Sequence, residues 1–155
     1  MIEYMIMDHL PQKLGEDFVE MGMLAFGESA FSGKIEFDDQ KLLEIAKKYA
    51  VEDDHVLIVA VDGGETVGVF AGNMSEFYFS SDKFARDVLW YVREEYRKLG
   101  VGLELLAMFE AWAKGEGAKM VYLSQDSGIN MDKFTRILDK RGYSLVGANY
   151  SLGVN

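Results

Sequence analysis

A chain of 155 residues, 49% hydrophobic and 27% charged, has the make-up of one folded domain (1–155) that can bury a core without staples. It has no cysteine, which excludes a disulfide framework and thiolate chemistry, and a formal net charge of −10, the wrong sign for the basic footprint of a nucleic-acid binder. The acidity serves solubility first and, beyond that, attraction of a cationic partner.

The first residues, "MIEYMIMD", lack a basic region ahead of an apolar run, and no apolar stretch is long enough to span a membrane, so a cytoplasmic protein is expected. Met1–Met7 reads as a strand. Pro11 opens a helical region that carries Leu14, Phe18, Met21 and Leu24 at helical spacing. "FGESAFSGKIEF" (26–37) is rich in small residues and reads as a loop. Asp38 or Asp39 then caps a second helix containing Leu42, Leu43, Ile45, Ala46 and Tyr49. "HVLIVAVD" (55–62) and "TVGVFAGNM" (66–74) are strands joined at "DGGE" as a hairpin. "EFYFSSDKFARDVLWYV" (76–92) continues as strand, broken near "SSDK". A helix follows from about Val101 to Lys114, then a strand "KMVYLSQ" (119–125). A short helix "NMDKFTRILDKRG" (130–142) stops at Gly142, a good residue after a helix end. "YSLVGANYSLGV" (143–154) reads as terminal strand. The order predicts a mixed α/β layer on a mostly antiparallel sheet.

The segment "EEYRKLGVGLELLAMF" (94–109) sets Arg97, Gly100 and Gly102 where a strand gives way to a helix. Glycine is costly in a helix, so bare backbone at this place has a use. A helix N-terminus offers unpaired N–H groups and the positive end of the dipole, and glycines let an anion come close. Arg97 adds a charged fork suited to phosphate oxygens. A P-loop needs Gly-Lys-Ser/Thr, but Gly102 is followed by Leu103; a dinucleotide fingerprint needs a third glycine where Leu105 stands. A glycine-rich turn without a ligand is the remaining plain alternative. Asp87 is an acid within a strand of "VLWYV" character, either a functional base or a strand-edge charge. Alternation places it on one face with Leu89 and Tyr91, and Arg86, Val88 and Trp90 on the other. His9 and His55 have no partners at ligand spacing, so no metal site is expected.

"VLWYVREEYRKLGVGLELLAMFEAWAKGEGAK" resembles the acyl-CoA-binding motif of the GNAT acyltransferase superfamily, and "DVLWYV" is similar to its phage- and prophage-encoded members. The resemblance covers Val56 to Val154. It implies an acyl-CoA N-acyltransferase fold whose fourth and fifth strands splay into a cleft holding acetyl-CoA. By position it implies that Leu99, Gly100, Val101, Gly102 and Leu103 offer backbone N–H groups to the pyrophosphate, with Arg97 and Lys98 opening the loop. Tyr91 and Val92 meet the pantetheine and acetyl end through their backbone, and Asn130 and Lys133 lie near the carrier arm. Asp87 is implied as general base by way of water. The usual donor tyrosine falls on Leu138, so Tyr143, Tyr122 or Tyr150 stands in, with Tyr143 preferred. The implied activity is acetyl transfer to a primary amine of a cationic small molecule or of a protein lysine or N-terminus, with homodimers common. The departure at Leu138 leaves a second possibility, a GNAT-fold binding or interaction module without turnover.

Overall fold

In the computed structural model, which describes residues 1–125 and 130–155, five strands form one sheet in the order β1-β2-β3-β4-β5. They are β1 (Ile2–Ile6), β2 (His55–Asp62), β3 (Glu65–Glu76), β4 (Lys83–Val92) and β5 (Met120–Tyr122). The pairs β1–β2, β2–β3 and β3–β4 are antiparallel, and β4–β5 is parallel. The expected splayed, mostly antiparallel sheet is therefore present.

Helices cover both faces. α1 (Gln12–Glu28) and α2 (Asp39–Val51) lie on one, where Leu14, Phe18, Met21, Ala46 and Ala50 pack on Leu57, Val59, Val69, Ala71 and Tyr91. α3 (Val101–Gly115) lies on the other, where Leu105, Leu106 and Phe109 pack on Val56, Ile58, Phe70 and Val92. Phe109 and Phe70 stack at 4.3 Å and are fully buried, each such side chain contributing about 1.5–3 kcal/mol of transfer free energy. α4 (Met131–Lys140) adds a half-buried Leu138 to this second cluster. The Asp38 carboxylate accepts the Lys41 N–H at 3.0 Å and caps α2 as expected.

Three expectations are corrected. α1 does not stop before Phe26 but runs to Glu28, where the Ser29 N–H and hydroxyl both donate to the Phe26 carbonyl. β5 spans only Met120–Tyr122, because its pairing with β4 ends at Arg86↔Tyr122. Residues 143–155 form no strand. The Tyr143 N–H bonds back to the Leu138 carbonyl and its phenol reaches Glu110 of α3, which holds the chain on the helical layer. Beyond it Leu145, Tyr150, Leu152 and Val154 stay exposed.

Candidate active site

The site begins at a bulge. Ala71 pairs with Leu89 and Gly72 with Asp87, so Val88 is an extra residue with no partner on β3. The extra residue shifts the phase of the strand by one. Ala85 and, beyond the bulge, Trp90 and Val92 belong to the α3-side cluster, while Leu89 and Tyr91 belong to the α1/α2-side cluster. Asp87 stands opposite Gly72, whose Cβ position points at Phe109 of α3, so Asp87 faces α3. The expected grouping of Asp87 with Leu89 and Tyr91 is thus corrected: simple alternation fails across a bulge. The signal in the sequence was Gly72 inside an apolar strand, since glycine there marks a bulge or a close backbone approach.

The same point opens the sheet. Past Arg86 the edge of β4 from Asp87 to Val92 has no β5 residue in its ladder. The Asp87 carboxylate spans the start of the gap, its Oδ1 accepting the Ser124 N–H at 3.0 Å. Tyr143 lies close by and donates its phenol O–H to Glu110 Oε2 at 2.8 Å. Arg141 pairs with the other oxygen of Glu110. Burial, then the hydrogen bond and charge of Glu110, push the Tyr143 phenol well above its usual pKa; Asp87 adds to the rise and Arg141 opposes it. The structure therefore brings the two expected catalytic residues into electrostatic range of each other, on the α3 side of the split. Leu138, where the resemblance leads one to expect a tyrosine, is half-buried and packs against the α3-side core.

At the far end of the split β4 runs through a short 3₁₀ turn (Glu94–Tyr96) into α3. Gly100 caps the helix at φ +78°, a conformation that strains other residues, and its Cα faces open space. The first helical hydrogen bond is Glu104 N–H to Gly100 carbonyl at 3.1 Å, so the N–H groups of Val101, Gly102 and Leu103 precede the helical ladder. Lys98, Leu99 and Leu103 are exposed beside them, while the Val101 side chain is buried. The Leu99 N–H is engaged by the Tyr96 carbonyl at 3.2 Å. A Cβ on Gly102 would sit 3.5 Å from Trp90 Nε1, an ordinary contact. Packing inside the fold thus does not demand this glycine, and its bareness leaves room for a group approaching from outside. An anion at this place fits the residues present: three N–H groups at a positive helix end and an exposed lysine.

Arg97 does not point there. Its Nε donates to the Val92 carbonyl at 2.8 Å, Nη2 donates to both oxygens of Glu28 at 3.0 Å, and the guanidinium lies 5.1 Å from the Tyr91 ring centroid. The Tyr91 phenol also donates to Glu28, at 3.1 Å. Glu28 went unnoticed in the sequence because the segment around it reads as a loop. Asn130 caps α4 at φ +50°, and Lys133 is exposed in the first turn of that helix. From the same helix Phe134 reaches Trp90, with ring centroids 6.0 Å apart. A separate groove of about 690 Å³ between α1 and α2, lined by Pro11, Val19, Met23 and Leu43 among others, takes no residue from β4, the loop or α4. Among the described residues no cluster of three potential ligands could hold a metal ion, and no helix is long and apolar enough to cross a membrane.

A split sheet with a bulged strand leading into a glycine loop at a helix N-terminus is the architecture of acyl-CoA N-acyltransferases. The chain belongs to the acetyltransferase (GNAT) family, whose model matches residues 22–136. No curated protein sequence matches it. Among solved structures it is similar to AAC(6')-Iy in complex with the bisubstrate analogue CoA-S-monomethyl-acetylneamine, at TM-score 0.75 and 11% identity over 100% of this chain and 99% of that one. A transcriptional regulator from Bacillus halodurans C-125 gives TM-score 0.75 at 16% identity, covering 97% and 99% of the two chains. Ribosomal-protein-alanine N-acetyltransferase from Brucella melitensis biovar Abortus 2308 gives 0.71 at 11% identity over the whole of both. At these identities the likeness shows the fold.

Proposed function

We propose that the protein is an acetyl-CoA-dependent N-acetyltransferase that acts on a primary amine. The observation that carries this reading is the exposed first turn of α3, with three N–H groups outside the helical ladder, set at the end of the unpaired edge of β4. The pyrophosphate of acetyl-CoA would be held by the N–H groups of Val101, Gly102 and Leu103, with Lys98 beside them and Gly100 turning the chain. Backbone of Tyr91 and Val92, on the stretch of β4 beyond the end of β5, would hold the pantetheine and acetyl end, and Asn130 and Lys133 the outer arm. Acetyl-CoA supplies an activated thioester, so no covalent enzyme intermediate is needed.

The chain's own residues supply the proton handling. The acceptor amine must lose a proton to attack, and Asp87, a carboxylate at the start of the split, takes it by way of water. The raised pKa keeps the Tyr143 phenol protonated across the neutral range, so with its O–H turned from Glu110 it would steady the departing thiolate as a hydrogen-bond donor, while the proton that the thiolate finally takes comes from solvent. An acidic chain favours a cationic acceptor, either a small polyamine or amino sugar or the lysine or N-terminus of a protein. Solved relatives described as aminoglycoside acetyltransferases and as a ribosomal-protein-alanine acetyltransferase support both classes. The family and the intact loop favour this enzyme over a binding module without turnover. The reading includes a cytoplasmic homodimer of the phage-borne type, the last supported by "DVLWYV". The experiment is a screen of polyamines, amino sugars and lysine peptides for thiol release from acetyl-CoA. Release with at least one class is expected; binding of acetyl-CoA with no amine ever acetylated would replace the enzyme with the binding module.

A further inference from the structure

The segment between β4 and α3 is tied to α1 by two arginines. Arg93, 8% exposed, donates from its backbone N–H to the Val67 carbonyl at 2.9 Å and from Nε to the Thr66 carbonyl at 2.9 Å. Its Nη1 donates to Glu20 at 2.8 Å. Arg97 repeats the pattern one step along the chain, with Nε on the Val92 carbonyl and Nη2 on Glu28. Glu20 and Glu28 are eight residues apart, a little over two helical turns, and so share a face of α1. The second tie is the more elaborate. One carboxylate oxygen of Glu28 receives both the Tyr91 phenol and Arg97, and Arg97 in turn lies over the Tyr91 ring. Burial, then the hydrogen bond and charge of Glu28, hold the Tyr91 phenol above its usual pKa. Every direction of the Arg97 fork that is accounted for points into the protein, toward α1 and the end of β4.

We propose that Glu28 is a positioning residue for the anion cradle at α3: through Arg97 and Tyr91 it fixes the end of β4 and the loop in the shape that receives the carrier's pyrophosphate, and Arg97 serves as a tie to α1, not as a phosphate ligand. The inference rests on the acetyl-CoA reading above. Its opposite has a different sign. Were Arg97 a phosphate ligand held back by Glu28, removing Glu28 would free it and tighten binding. As a tie, removing Glu28 loosens the loop and weakens binding. The side chains of Glu28, Arg97 and Tyr91 point toward α1 and none reaches the reacting atoms, so the effect falls on cofactor affinity and KM more than on kcat at saturation.

The test uses the full chain. Acetyl-CoA is titrated calorimetrically into wild type, Glu28→Gln, Glu28→Ala, Arg97→Ala and the Glu28→Ala/Arg97→Ala double variant. Amide hydrogen exchange is followed at Lys98–Leu103 without ligand. We expect Glu28→Ala and Arg97→Ala each to raise the acetyl-CoA Kd about tenfold and the double variant to be no worse than either, since they act as one unit. Glu28→Gln, which keeps an acceptor for the phenol, falls between. The loop amides of Glu28→Ala exchange about tenfold faster. Tighter binding by Glu28→Ala, additive losses in the double variant, or unchanged loop exchange would each overturn the proposal. If wild type binds no acetyl-CoA, the cofactor reading falls, and the exchange measurement still decides whether Glu28 holds the loop.

Discussion

Substituting Gly72 by alanine tests the bulge that organises the site. A Cβ built there lies 2.3 Å from Phe109 Cε1, 2.8 Å from Phe109 Cζ and 2.8 Å from the Arg86 carbonyl oxygen. The ring cannot swing away easily, because Phe109 is fully buried and stacked between Phe70 and Trp112. The carbonyl is backbone, and moving it means moving the bulge. Overpacking of this kind costs about 1–3 kcal/mol. For a chain of this size each kcal/mol lowers Tm by roughly 2–4 °C, so a fall of roughly 2–12 °C is expected in thermal melts followed by circular dichroism. Gly27→Ala serves as control: it lies in α1 with nothing within 4 Å of its Cβ position, so it should stabilise the fold by about 0.4–1 kcal/mol and raise Tm slightly. If Gly72→Ala melts with wild type, the close approach of β3 to the bulge and to α3 is wrong. The phase shift that turns Asp87 toward α3 would then be wrong with it.

Two further outcomes follow from the charged groups. Burial alone would raise the Asp17 carboxyl, but the Lys13 ammonium and the Thr66 N–H bring it below its usual value. The native state then binds fewer protons than the unfolded chain. The resulting stability is present above the ordinary carboxylate pKa of about 4 and lost as pH falls through the lower folded value. In urea melts, wild type should exceed Asp17→Asn at neutral pH and the gap should close as the pH drops below about 4. Asp87→Asn keeps an oxygen for the Ser124 N–H and loses the charge, so the rate should fall by roughly 10²–10⁴-fold with acetyl-CoA affinity nearly unchanged. Full activity with an unaltered pH profile would make Asp87 a strand tie alone.

Much of this architecture is legible in the sequence, and the parts that are not share a cause. The hairpin at "DGGE", the Asp38 cap and the Gly100 turn are written in local chemistry: positive φ at Gly63, Gly64 and Gly100, and a carboxylate three residues before the N–H it accepts. The family motif adds the split sheet. What local chemistry does not carry is what partners decide. Phe26–Glu28 read as loop but continue α1, and only there can Glu28 meet Arg97 and Tyr91. Arg97 beside two glycines suggests a phosphate ligand, and the Glu28 carboxylate that its fork meets in the fold comes from α1, far away in sequence. Alternation along β4 fails because the bulge at Val88 answers to Gly72 on another strand and to Phe109 on a helix. The terminal segment has strand-like composition but forms no strand, and at its start Tyr143 bonds to Glu110 of α3, a partner far away in sequence.

Whether the bare first turn of α3 receives acetyl-CoA is decided most sharply by Gly102→Val. A Cβ there meets Trp90 and Val92 at ordinary contact distance, and the two methyls beyond it should crowd the close approach of an anion to the first-turn N–H groups. Calorimetric titration should show acetyl-CoA binding to wild type and none to Gly102→Val at a nearly unchanged Tm. Equal affinity in the two proteins, or no binding by wild type, would contradict the account.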